Sequence, residues 1–261
     1  MIYIFAVVVL FLISTIPTKK NKKMEWMNGY SFHRGKFSED QSIPENSIAA
    51  IVEAIKMKAD IEIDIRITAD NVLIVFHDES LHRMCNVDGL IENMTYDAIQ
   101  EYSLKETKEH IPTFEQVLHV VDGQINLIIE IKPTNRVDQV CTLVMEHLSD
   151  YQGNYAICSF HPMIVTYFKK YFPDVIRGQI IKNFLNDKQH KLITRVLLTI
   201  NGFNFYTRSD FISVHYSIVL YFVWMKLFYS MICTWAISDA NIVSKLKKKV
   251  DHLIIEFVNY D

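Results

Sequence analysis

A chain of 261 residues, 50% hydrophobic and 22% charged, is long enough to bury one large core and too apolar to stay disordered. Its 27 basic and 30 acidic side chains leave a net charge of -3, without the basic excess of a general nucleic-acid binder. Cys85, Cys141, Cys158 and Cys233 form no CxxC pair, which points to reduced thiols and away from a disulfide framework or zinc site.

The chain opens on MIYIFAVVVLFLISTI, a run without charge, followed by PTKKNKK with four lysines. The lysines follow the apolar run and no small-residue cleavage site is visible, so a membrane anchor is expected before a cleaved signal. As a helix the run would be about 24 Å long against a hydrocarbon core of about 30 Å, enough for a thin bilayer with snorkelling lysines. Positive-inside logic would place the rest of the chain on the cytoplasmic side, with export as the alternative. Residues 1–23 are therefore a hydrophobic segment with a Lys-rich flank, and residues 24–261 the folded domain.

Strand-like runs then alternate with helix-like ones. The strands are MNGYSFHRG, IEIDIRIT, INLIIEIK, YAICSF, VIRGQII, DFISVHY, ICTWAIS and HLIIEF. Helical periodicity marks SIAAIVEAIKMK after the first, TFEQVLHVV before the third and RVDQVCTLVMEHL after it. Eight such units predict an α/β fold, a (β/α)8 TIM barrel preceded by an N-terminal hydrophobic helix. The apolar stretch 211–235 contains His215 and Lys226, and reads as strand, covering helix and strand in place of a membrane span. The lysine run near residue 247 is expected on the solvated face of the last helix. One further strand, VLIVFHD, is separated from IEIDIRI only by TADN, too short for a parallel crossover, so it should return as a hairpin carrying His77 toward the preceding strand.

Alternation puts Glu62, Asp64 and Arg66 on one face of IEIDIRI and the isoleucines on the other. In a barrel the isoleucines face the helices and the charges face the bore. INLIIEIKP repeats the pattern with Glu130 and Lys132. An antiparallel sheet with a solvated charged face would suit either strand alone, but not both together with histidine motifs at strand ends. Charges enclosed in a bore need compensation, and a cation held by Glu62, Asp64 and Glu130 is the simplest source. All-oxygen ligands suit Mg2+ or Ca2+.

HRG at 33–35, PENS at 44–47, EID at 62–64, HDESLHR at 77–83, IPTFE at 111–115 and EIK at 130–132 occur in one order. In these motifs the chain resembles the glycerophosphodiester phosphodiesterase family, most closely over residues 28 to 135. The resemblance implies His33 and His77 as acid and base, Arg34 and Lys132 as phosphate contacts, and Glu62, Asp64 and Glu130 as metal ligands. Lys132 would otherwise balance Glu130 as an ion pair, and Arg34 cap a carboxylate. Asp78 would orient His77 or cap a turn. Trp235, at a strand end, would line a substrate groove or simply pack. Cys85 replaces a common Thr, the segment between HD and IPT is short, and the closing TWAIS and IIEFVNYD match only loosely.

The implied activity is metal-dependent cleavage of glycerophosphodiesters to sn-glycerol 3-phosphate and an alcohol, through a cyclic phosphate. A membrane-tethered site with a short segment between HD and IPT would also admit lysophospholipid head groups, an expectation that rests on the N-terminal apolar run. A sphingomyelinase D-like barrel is the enzymatic alternative, disfavoured by Glu130, PENS and IPT. A non-catalytic, membrane-anchored phosphodiester-binding barrel is the alternative of another class.

Overall fold

Apolar strands separated by amphipathic helices close into a barrel in the computed structural model, which describes residues 24–227 and 231–258. The strands are β1 (Gly29–His33), β2 (Asp60–Ile67), β3 (Leu73–Val75), β4 (Leu127–Ile131), β5 (Tyr155–Ser159), β6 (Arg177–Ile181), β7 (Phe211–His215), β8 (Met231–Ile237) and β9 (His252–Ile255). All except β3 pair in parallel, and β1 bonds to both β2 and β9, so the parallel strands form a closed ring. The eight expected barrel strands are all present. The hairpin is too: β3 runs antiparallel to β2, with Ile65 opposite Val75.

The isoleucines of β2 explain why this sequence makes a barrel wall. Ile61, Ile63, Ile65 and Ile67 are at most 1% exposed and pack with Ile51, Phe114, Val117 and Val140 of the surrounding helices. Each such burial contributes about 1.5–3 kcal/mol. Parallel register then sets Asp64 beside Glu130, both facing inward. Below them Met24, Met27, Ile128, Phe211, Met231 and Ile254 close the bore as an apolar floor. The short segment between HD and IPT has a core of its own around Ile74, Leu81, Ile91 and Ile111.

Two expectations are corrected. Stretch 211–235 contains the two strands, but 3-10 turns at Val219–Tyr221 and Val223–Leu227 stand where a covering helix was expected. Its β-branched and aromatic residues lose side-chain freedom in an α-helix. The last helix, Ala240–Leu246, ends before Lys247, so the lysine run lies on the following turn. The expected N-terminal apolar helix falls within residues 1–23, outside the described residues. Among the described residues no helix is long and apolar enough to cross a membrane.

Candidate active site

The HRG motif ends β1 in a tight turn. Arg34 and Gly35 both take positive φ, 57° and 79°. A Cβ at position 35 would lie 3.0 Å from the backbone carbon of Ala50, so only glycine fits there without displacement. The turn directs the Arg34 backbone N–H onto Glu62 Oε2, 3.3 Å away.

PENS supplies three more supports. Glu45 accepts from Arg34 Nη1 at 2.8 Å. Asn46 donates Nδ2–H to Asp64 Oδ2 at 2.9 Å. Ser47 Oγ accepts from Ala50 N and caps the helix Ile48–Lys56. IPTFE does a different job: Thr113 and Gln116 form a capping box at the start of helix Phe114–Val121, and Glu115 is exposed, away from the carboxylates.

Glu62 and Asp64 on β2 meet Glu130 on β4 with one oxygen of each within 4.8 Å of the others. All three are buried. Lys132 Nζ lies 2.7 Å from Glu130 Oε1 and 3.2 Å from Asp64 Oδ1, and Arg34 Nε lies 3.4 Å from Asp64 Oδ2. In this structure both cations therefore contact carboxylates. Arg66, on the same strand, donates its Nε–H to the backbone oxygen of His77, 2.9 Å away, and helps hold the strand end that carries that histidine.

Each histidine is held by a carboxylate. His33 donates from Nδ1 to Glu256, just beyond β9, and its Nε2 stands 3.7 Å from Glu62 Oε2. His77 donates from Nδ1 to Asp78 Oδ1 at 2.6 Å, so Asp78 orients it. Arg83 joins the two halves of the site, reaching Asp78 at 2.6 Å and Glu45 at 2.6 Å. A continuous chain of charged contacts thus runs from His77 through Asp78, Arg83, Glu45 and Arg34 to Asp64. Trp235 is half-buried beside His33, ring centres 6.5 Å apart, and makes edge contacts with Phe160 and His215.

Burial pushes the Glu62 carboxyl well above the carboxylate range, and repulsion from Asp64 and Glu130 adds to it. Asp64 goes the other way: burial opposes its charge, but Lys132, His77 and Arg34 outweigh it and hold the carboxyl well down. Lys132 is raised, its burial offset by Asp64 and Glu130. Burial and then the Arg34 charge lower His33, against the pull of Glu256, which favours a neutral imidazole. The three carboxylates face two cations, one of them shared with Glu45. The donor set is all hard oxygen, burial and then the neighbouring carboxylates raise Glu62, and a divalent cation fits a buried cluster of that charge.

All the expected site residues lie on the bore side or its rim. Sequence reasoning assigned no role to Glu45, Asn46 and Arg83, although it quoted the motifs containing them, and it missed Glu256 as a site residue. The signal for Glu256 was alternation: His252, Ile254 and Glu256 share the face of HLIIEF that enters the bore.

The sequence model of the Glycerophosphoryl diester phosphodiesterase family matches residues 33–213. A glycerophosphodiester phosphodiesterase of Caldanaerobacter subterraneus is 35% identical over 108 residues, 38% of this chain and 43% of the relative. A human lysophospholipase D is 30% identical over 168 residues, 56% of this chain and 52% of the relative. The chain spans about half the length of these curated relatives. An Oleispira antarctica phosphodiesterase, solved in complex with the product sn-glycerol-3-phosphate, superposes with a TM-score of 0.72 at 20% identity, covering 87% of this chain and 92% of that one.

Proposed function

Because the chain belongs to the glycerophosphoryl diester phosphodiesterase family, we propose that it hydrolyses glycerophosphodiesters to sn-glycerol 3-phosphate and an alcohol. The observation that carries the reading is the meeting of two histidines, each fixed by its own carboxylate, at one buried carboxylate triad. A phosphodiester needs one proton removed from a nucleophile and one given to the leaving oxygen, and two oriented imidazoles supply both.

In this reading the Nδ1 bonds commit both rings to act through Nε2. One histidine takes the proton of the substrate's neighbouring glycerol hydroxyl as its oxygen bonds to phosphorus. The other protonates the departing alcohol oxygen, leaving a cyclic phosphate that water opens with the roles reversed. Arg34 and Lys132 would turn from their carboxylates toward the phosphoryl oxygens. Glu62, Asp64 and Glu130 would hold Mg2+ or Ca2+, which when bound neutralises charge developing on phosphate. Trp235 would line the groove beside His33.

The test is hydrolysis of glycerophosphocholine by the full chain, with enzymatic detection of glycerol 3-phosphate, in EDTA and after Mg2+ or Ca2+ is restored. Cation-dependent release is expected. A folded protein that releases none with either cation would overturn the reading. The likeness to the human lysophospholipase D favours a second substrate class, lysophospholipids. Inert dispersed lysophosphatidylcholine beside hydrolysed glycerophosphocholine would remove it.

A further inference from the structure

The outer wall next to the barrel mouth carries an apolar strip that the proposed chemistry does not use. Helix Leu192–Thr199 contains no buried residue. Leu192, Ile193, Val196 and, just past its end, Ile200 are exposed, Ile193 to 71%. These spacings of one, four and eight residues place them on one helical face. Alongside, the 3-10 turns after β7 expose Leu220, Tyr221, Trp224 and Leu227, with Tyr221 at 76% and Leu227 at 79%. An apolar groove of about 330 Å³, lined by Ile200, Tyr221, Phe222, Trp224 and Met225, runs between the two.

The strip is continuous with the candidate active site. Thr199 Oγ1 accepts from Phe184 N at 3.0 Å and Arg195 donates to Leu185 O at 2.9 Å, tying the helix to the loop after β6. In that loop Lys182 lies over the rings of Phe160 and Phe184. Phe160 packs on Trp235, and Trp235 lies beside His33.

Charge and composition identify the occupant. The exposed cations Lys182, Lys188 and Lys191 border the strip near its mouth end, with Asp187 as the partly exposed acid among them. Aliphatic side chains flanked by Tyr, Trp and lysines match the boundary between acyl chains and anionic headgroups. A second copy meeting this face symmetrically would bring lysines against lysines. We infer that the strip Leu192–Ile200 and Leu220–Leu227 docks on an anionic lipid bilayer, holding the mouth of the barrel at the headgroup layer.

The experiment reports position and needs no turnover, so its failure is distinguishable from failure of the proposed hydrolysis. The full chain is mixed with phosphatidylcholine–phosphatidylserine vesicles carrying brominated acyl chains, and tryptophan emission is followed. Docking quenches Trp224: quenching is expected in the native chain, weaker in high salt, and mostly lost in Trp224→Phe. The double variant Ile193→Glu/Leu227→Glu should need at least about a hundredfold more lipid for half-maximal quenching, the scale of two lost aliphatic contacts, with glycerophosphocholine turnover unchanged. Vesicles that bind the chain while Trp224 stays unquenched would overturn the inference, because residues 1–23 would then be the tether. An unquenched Trp224 in a dimer that the double variant makes monomeric would overturn it in favour of a second copy.

Discussion

Glu62→Gln should strengthen the fold while disabling the site. Each pair of carboxylate oxygens in the triad lies within 4.8 Å. At an effective dielectric constant of about 20, each repulsion is worth about 3.5 kcal/mol at that distance. Glu62 faces two, part of which Arg34 and Lys132 return. The group can also escape by taking a proton, which from an ordinary carboxyl pKa of 4.5 costs at most about 5 kcal/mol at pH 8. Replacing the charge by an amide, which still accepts from the Arg34 N–H, should therefore stabilise the cation-free protein by about 1–4 kcal/mol at pH 8. In a domain of this size that raises Tm by roughly 2–4 °C per kcal/mol. The sign follows from the raised pKa: the wild-type penalty is absent below the unfolded value and grows as pH rises toward the folded one, so the gain should shrink at pH 5. Differential scanning calorimetry in EDTA at both pH values, repeated with Mg2+ or Ca2+, measures it. The native chain should gain stability from the cation and the variant much less. A variant that is less stable than the native chain in EDTA at pH 8, or one that gains equally from the cation, would refute the reasoning.

His33→Gln and His77→Gln should each lower kcat by about 10²- to 10⁴-fold with unchanged circular dichroism. Because burial and then Arg34 lower His33, the limb of the native kcat/KM profile that His33 sets should lie below pH 6.5; finding that limb above it would contradict this. Arg83→Ala cuts the link between Asp78 and Glu45 and should cost about 10- to 100-fold in kcat, while the stabilisation by cation measured in calorimetry persists, since the triad is untouched. His252 in the barrel floor donates from Nδ1 to Met27 O and accepts at Nε2 from Ser31 Oγ, and burial lowers it from 6.5 to about 4. The unfolded chain then takes up a proton near pH 6.5 that the folded one refuses until about 4, so stability present above pH 6.5 falls by about 3 kcal/mol across that window. Urea midpoints for the native chain and His252→Gln at pH 7 and 4.5 isolate the effect, and equal pH slopes would refute it.

The barrel was legible because its wall is written twice, in period-two isoleucines that must be buried and in charges that must then share the bore. The carboxylate triad followed from alternation on β2 and β4 taken together with the histidine motifs at the strand ends, which ruled out a solvated antiparallel face. Supports across long sequence gaps were not legible: nothing local tells that Arg83 reaches Glu45, or that Glu256 meets His33 from the far end of the chain. These contacts exist only once the ring has closed. The covering helix after β7 failed for a local reason, since its residues are apolar enough to pack yet too branched and aromatic to favour an α-helix.

The apolar floor makes the bore a well with one opening. Met24, Met27 and Phe211 leave nothing to pass through, so whatever enters must leave the way it came. On the proposed hydrolysis, the phosphodiester and both of its products would share that single opening, so the surroundings of the rim would act on every molecule that arrives and departs.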